Sequence, residues 1–78
     1  MQVFKRDGSV VDYDRSKIRI ALQKANAAVE QQERASDDDI EGIIEYIEGK
    51  NKQRMLVEDI QDIVEQKLME LDKYVLAK

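Results

Sequence analysis

Val3-Phe4-Lys5-Arg6-Asp7-Gly8-Ser9-Val10-Val11-Asp12-Tyr13-Asp14-Arg15-Ser16-Lys17-Ile18 packs two extended segments, a turn and a helix start into one short run. Val3-Phe4-Lys5 and Val10-Val11-Asp12-Tyr13 are short and rich in β-branched and aromatic side chains. Between them stands Arg6-Asp7-Gly8-Ser9, and Asp-Gly is a strong turn signal because glycine takes positive φ at no steric cost. Residues Gln2 to Tyr13 are therefore expected to form a β-hairpin, with Asp7-Gly8 as a two-residue turn. That register pairs Lys5 with Val10 and Phe4 with Val11. It puts Phe4, Val11 and Tyr13 on one face, able to cover a helix, and Val3 with Lys5 on the other. A hairpin alone is marginal in water, so this one must pack on something.

Asp14 is a good N-cap for the first helix. Ile18, Ala21, Leu22, Ala25, Ala28 and Val29 follow at helical spacing, and the polar stretch Glu30 to Ala35 should contain its end. Ser36 is expected to cap a second helix, with Asp39 three residues on as a short capping box. Ile40, Ile43, Ile44 and Ile47 form an i, i+3, i+4, i+7 stripe, and Gly49 is the expected stop. Lys50 to Arg54 reads as a basic, polar loop, followed by an apolar pair, Met55-Leu56, that fits no periodic face and is free to pack over the hairpin. A third helix starts near Val57, without a Ser or Thr cap, and turns Ile60, Ile63, Val64, Leu68 and Leu71 inward. Asp72 is expected to cap a fourth helix, Lys73 to Lys78, too short to stand alone. Because the chain stops inside that element, it is expected to belong to a longer protein. The fold class is α+β: an N-terminal β-hairpin packed on a small bundle of about four helices, the last truncated.

The 78 residues amount to one small domain, with net charge −4, 42% apolar and 38% charged residues. This balance suits a globular chain better than a disordered one. The absence of Cys and His excludes thiol chemistry, disulfides and the usual zinc sites. No apolar run approaches the roughly 20 residues of a membrane span, and Met-Gln-Val-Phe-Lys is no secretory signal. The expectation is a soluble, cytoplasmic chain with no membrane partner. So small a core leaves little room for a catalytic cleft with its own lid, which favours a binding or regulatory module with no catalytic residues.

The positive charge is gathered at one end. Lys5, Arg6, Arg15, Lys17 and Arg19 fall in the first 19 residues of an acidic chain, a local basic patch. Lys5 and Arg6 stand at the end of the first strand and the turn. Lys17 stands in the first turn of the first helix, where backbone N–H groups and the helix dipole also favour an anion. Together they can hold a phosphate group, although charged residues in general are mostly solvated surface. Neither glycine-rich phosphate motif is present, so any nucleotide site must use side-chain cations and a helix start. Asp37-Asp38-Asp39 reads as an acidic first turn complementing the helix dipole rather than a cation site. Glu58, Asp59, Asp62, Glu65 and Glu70 read as the solvated side of the third helix. Nucleic acid is not an expected partner: the charge is negative, and Phe4, Tyr13, Tyr46 and Tyr74 do not interleave with a basic run.

The run Val3 to Ile18 resembles the opening of the ATP-cone family, a V-x-K-R-D-G segment followed by a polar and aromatic pair, an acidic residue and K-I at a helix start. Val57-Glu58-Asp59-Ile60-Gln61-Asp62-Ile63-Val64-Glu65 resembles the family's third helix, and Leu76-Ala77-Lys78 the start of its last. The resemblance covers nearly the whole chain. It implies a single regulatory domain, residues 1–78, with a hairpin lid over 1–13 and a helical bundle over 14–78. It further implies the N-terminal part of a ribonucleotide reductase large subunit. There such domains bind ATP or dATP as allosteric effectors, with Mg2+; ATP permits turnover and dATP inhibits it. The implied partners are the adenine nucleotide, the catalytic domain of the parent protein, and cone–cone or subunit contacts in oligomers.

Carried over by motif position, Val3, Lys5 and Arg6 line the nucleotide pocket under the hairpin. Lys17 reaches the phosphates, with Asp14 and Ile18 beside it, and Val57 and Gln61 approach base and sugar. Two departures follow from the resemblance. Some relatives carry a hydroxyl residue where this chain has Val57, which can pack on a base but not hydrogen-bond to it. The family's last helix also runs further and supplies another basic residue near the phosphates. Two alternatives stay open: the cone of a transcriptional repressor of reductase genes, which requires four cysteines upstream, and a ligand-free helical interaction module.

Overall fold

The computed structural model describes residues 1–77. In chain order it contains β1 (Gln2–Phe4), β2 (Val10–Asp12), α1 (Arg15–Ala27), a 3-10 turn (Gln31–Glu33), α2 (Asp37–Gly49), β3 (Arg54–Leu56), α3 (Val57–Glu70) and α4 (Tyr74–Ala77). The architecture is mixed α+β, a small sheet beside a set of helices.

The hairpin forms, but in a register one residue away from the one expected. Phe4 pairs with Val10, Val3 with Val11 and Gln2 with Asp12. The reason is the turn. Gly8 N–H donates to Lys5 O at 3.1 Å and Lys5 N–H donates to Ser9 O at 2.9 Å, so the loop holds three residues, Arg6-Asp7-Gly8, rather than two. Gly8 takes φ 87°, the left-handed position that closes such a loop. Asp7 Oδ1 accepts from Ser9 N–H at 2.9 Å and from the Ser9 hydroxyl at 2.6 Å, which stiffens the tip. Because side chains alternate, the one-residue change swaps which face of β1 lies beside Val11 and the core. Val3, 8% exposed, and its partner Val11 point into the core, while Phe4 and Val10 lie on the outer face.

A third strand was not expected. Arg54-Met55-Leu56 runs parallel to β1, giving strand order β2-β1-β3 with Val3 opposite Met55. The residues read as the end of a basic loop and an unplaced apolar pair are thus an edge strand. Met55 is buried beside Val3, and Leu56 is exposed. Three residues show no period, and the partner strand is some fifty residues away, so pattern alone could not find the pairing.

The helices follow their signals more closely. The Asp14 carboxylate accepts from Ser16 N–H at 3.0 Å and caps α1. Ser36 Oγ accepts from Asp39 N–H at 3.0 Å, and Asp39 Oδ2 accepts from Ser36 N–H at 3.1 Å, completing the capping box. Ile40, Ile43, Ile44 and Ile47 are all buried and form the centre of the core with Leu22, Ile60, Leu68 and Leu76. The α1–α2 connection is pinned by Asn26, whose amide donates to Ala35 O at 2.9 Å and accepts from Ala35 N–H at 3.0 Å.

Several details at the helix ends differ from the sequence reading. Ala21 and Ala28 are exposed, and Leu71 is 39% exposed rather than inward. Gly49 is the last residue of α2, and the left-handed residue after it is Asn51, φ 54°. Asp72 does not open α4; at φ 60° it closes α3. Its N–H donates to Met69 O at 3.0 Å and Lys73 N–H donates to Leu68 O at 2.8 Å, the hydrogen-bond pattern of a Schellman end. The expected fourth helix is described as Tyr74–Ala77, and Lys78 lies outside the described residues. No helix among them is long and apolar enough to cross a membrane.

Candidate functional site

α1 packs closely on α2 but stands apart from α3, and the gap is a cleft of about 500 Å³. Its walls are Lys17, Ile18, Ala21 and Leu22 of α1, then Val57, Ile60, Gln61, Val64, Glu65 and Leu68 of α3, with Leu76 and Ala77 of α4 at the far end. At the end nearer the sheet it meets a smaller cavity of about 170 Å³ under the hairpin, lined by Val3, Lys5, Val11, Asp12, Tyr13 and Asp14. The two share Lys17, Ile18, Val57 and Ile60. The combination is an apolar trough with cations at one end, and its size falls in the usual range for small-molecule sites, about 300–1,000 Å³. A larger hollow of about 660 Å³ lies at the other end of α1, around Glu30, Glu33 and Arg34. None of the candidate nucleotide-site residues lines it.

Each element positions its residues for a local reason. β1 delivers Val3 into the trough and carries Lys5 to its rim, because the three-residue loop sets which face each residue takes. The cap at Asp14 starts α1 at Arg15, which brings Lys17 into the first turn beside the hairpin. β3 runs into α3 without a loop. Leu56 is the N-cap of α3 and makes no side-chain capping bond, so α3 starts at the sheet and places Val57 where the two parts meet and Gln61 one turn on.

The basic patch divides into paired and unpaired members. The Arg15 guanidinium lies 2.8 Å from Glu41 and 3.1 Å from Glu48 of α2, and Arg19 also pairs with Glu41. Tyr13 donates its phenolic hydrogen to Glu48 at 2.9 Å. Burial, then the Glu48 hydrogen bond, pushes the Tyr13 phenol well above its usual range. The hydrogen bond from Arg19, opposed by some desolvation, holds the Glu41 carboxyl below its ordinary value, with Arg15 adding to the effect. The Ser16 hydroxyl and backbone likewise hold Asp14 below the usual carboxylate value. Arg6 lies against α3: Nε donates to Glu58 at 3.1 Å and Nη2 to Gln61 Oε1 at 3.3 Å. Among the described residues, Lys5 and Lys17 pair with no carboxylate.

The structure therefore brings the sequence-singled residues to one region. Val3, Lys5 and Asp14 line the smaller cavity, Lys17, Ile18 and Val57 line both parts, and Gln61 lines the larger. Arg6 stands outside the lining, its guanidinium turned to the edge of α3. Sequence reasoning missed Ile60, Val64, Leu68 and Leu76 as cleft walls, having read the first three as core. Their apolar stripe is shared between core and cleft, and stripe width alone does not separate the two. Val11 and Tyr13 were expected on the face of the hairpin that covers a helix, but their spacing does not separate covering a helix from lining a cavity. No group of acidic side chains among the described residues is arranged to hold a metal ion.

Fold and cleft together define a small α+β domain with an amphipathic trough suited to an anionic ligand that also carries an apolar part. Residues 1–78 match the family described as ATP cone domain, and the chain belongs to that family. It is similar to the vitamin B12-dependent ribonucleoside-diphosphate reductase of Thermoplasma acidophilum, 39% identical over 70 residues, a match covering 87% of this chain and 9% of that protein. It is also similar to the ribonucleoside-diphosphate reductase subunit alpha of Chlamydia trachomatis serovar D. That match is 34% identical over 89 aligned positions, covering all of this chain and 8% of that subunit. The chain thus spans less than a tenth of the length of either relative.

Proposed function

We propose that this chain is a regulatory domain that binds ATP or dATP and sets the overall activity of a cytoplasmic ribonucleotide reductase of which it forms part. The observation that carries the reading is the pair of ammonium groups, Lys5 and Lys17, that meet no carboxylate among the described residues and stand at the end of an apolar trough in a member of the ATP-cone family. The donor set fits a nucleotide. Lys5, Lys17 and the first turn of α1 supply positive potential for the phosphates. Ile18, Val57 and Ile60 offer an apolar surface for the base, and the Gln61 amide offers a polar group towards base or sugar. Asp14 has Oδ1 occupied by Ser16, so Mg2+ would arrive on the phosphates rather than in a protein cage. The domain performs no reduction; that chemistry belongs to the catalytic domain of the parent, the domain's partner, and cone–cone or subunit contacts in oligomers are one route by which it can act.

Regulation then rests on differential binding. A nucleotide shifts the parent only by as much as it prefers one state over another. ATP and dATP differ only at the 2′-hydroxyl, so discrimination must arise beside the ribose. The test is a titration with Mg-ATP, Mg-dATP and Mg-GTP followed by amide chemical shifts. Adenine nucleotides are expected to move Lys5, Arg6, Lys17, Ile18, Val57 and Gln61, and GTP to move them less. Lys17→Glu is expected to weaken ATP binding about tenfold, since it replaces an attractive charge at the phosphates with a repulsive one. Undiminished binding by that variant would remove Lys17 from the site.

A further inference from the structure

Arg6 is the one member of the proposed nucleotide set that does not line the cleft. Its guanidinium bridges two side chains one turn apart on α3, with Nε to Glu58 at 3.1 Å and Nη2 to Gln61 at 3.3 Å. It reaches them from the stiff tip of the hairpin, whose neighbouring residues are locked by the Asp7–Ser9 bonds and by Gly8. Glu58 sits in the first turn of α3, directly after Val57, which lines both parts of the trough, and before Gln61, which lines the larger part. Glu58 itself faces neither part. The Arg6 and Glu58 side chains are 73% and 42% exposed, so the pair is solvated and exchangeable rather than a buried structural bridge.

We propose that Glu58 is a positioning residue that competes with the nucleotide phosphates for Arg6: it holds the guanidinium on α3 in the free chain and yields it when a triphosphate enters the cleft. The inference rests on the nucleotide-binding reading above. Two contributions point the same way. A phosphate that takes Arg6 must break the Arg6–Glu58 pair, and a carboxylate next to Val57 of the cleft wall opposes the charge of the incoming triphosphate. Glu58 therefore lowers affinity for the triphosphate and leaves the nucleoside almost untouched. It makes binding depend on phosphate charge beyond what Lys5 and Lys17 supply. Transfer of Arg6 also frees Gln61 Oε1, so the group at the base and sugar end changes partners when the phosphates arrive.

The experiment compares the 78-residue chain with Glu58→Gln and Glu58→Ala, titrated separately with Mg-ATP, adenosine and inorganic triphosphate. The Arg6 side-chain Nε–H resonance is followed alongside, with circular dichroism as a check on folding. Both variants are expected to bind ATP and inorganic triphosphate about twofold to fivefold more tightly, the scale of a solvated ion pair. Adenosine binding should stay unchanged, and the Arg6 Nε–H signal of the parent chain should move on adding triphosphate. Equal or weaker ATP binding by both variants overturns the proposal, because an ordering role for Glu58 predicts loss. Failure of every chain to bind ATP or adenosine overturns the proposed function instead. In that case inorganic triphosphate decides alone: tighter binding by the variants keeps the competition for Arg6, and equal binding ends it.

Discussion

The two sides of α1 are built differently. Towards α2 the contact is closed: Leu22 meets the isoleucine stripe, Arg15 and Arg19 pair with Glu41 and Glu48, and Asn26 fastens the connecting segment. Towards α3 it is open: Ile18, Ala21 and Lys17 face a cleft, and Lys17 has no acidic partner among the described residues. The same helix therefore serves stability with one face and lines the candidate site with the other. A small domain has few kilocalories to spare. Leaving an apolar trough and two cations unsatisfied is affordable here because the opposite face is fully packed.

The contrast can be broken most directly in the core. Ile44, fully buried on the closed side, should cost about 2–5 kcal/mol when cut to alanine, since a cavity adds to the lost transfer energy. Ile18→Ala, on the cleft side and half-buried, should cost about 1 kcal/mol. Urea unfolding of the two variants tests this, and equal losses would mean that the α2 core and the cleft side of α1 carry stability alike.

A smaller effect is expected from Asn26→Ala. It removes both bonds to Ala35 and strands a backbone N–H and C=O in a part-buried place, costing about 1–3 kcal/mol. Thermal unfolding reads the loss, and an unchanged midpoint would show that the connection is held by the burial of Ala35 alone.

The smallest effect concerns pH. The folded state holds Glu41 below its ordinary value of 4.5, so its ionised form stabilises the fold. That contribution is complete above the ordinary value and is lost as pH falls through the lower folded value. The midpoint should therefore drop on acidification below about pH 4.5, and less steeply for Glu41→Gln. Parallel acid profiles would show that the Arg15 and Arg19 pairs add nothing to the closed side, as many solvated ion pairs do.

The helices were legible because their determinants are local. Asp14, Ser36 and Asp39 cap from within three residues, and the isoleucine stripe of α2 repeats along one element. The location of the candidate site was legible for a similar reason. Its cations crowd one segment, and the opening motif ties Val3, Lys5 and Lys17 to the start of α1. The sheet was legible only in part. Asp7-Gly8 announced a turn, yet two-residue and three-residue loops share that signal, and the choice between them reverses which of Val3 and Phe4 is buried. For α3, the apolar stripe said that one face is covered but not that part of that face lines an open cleft.

The chain by itself determined its hairpin and three longer helices, the caps at Asp14 and Ser36, the isoleucine core and the concentration of positive charge near the N-terminus, because each depends on residues within a few positions of one another. Tertiary structure alone decided the hairpin register, the pairing of β3 with β1, and which cations stay available. Arg15 and Arg19 meet Glu41 across 26 and 22 residues and Arg6 meets Glu58 across 52, whereas Lys5 and Lys17 meet none among the described residues. A charge finds its partner only when separate elements are brought side by side, and no local pattern carries that information.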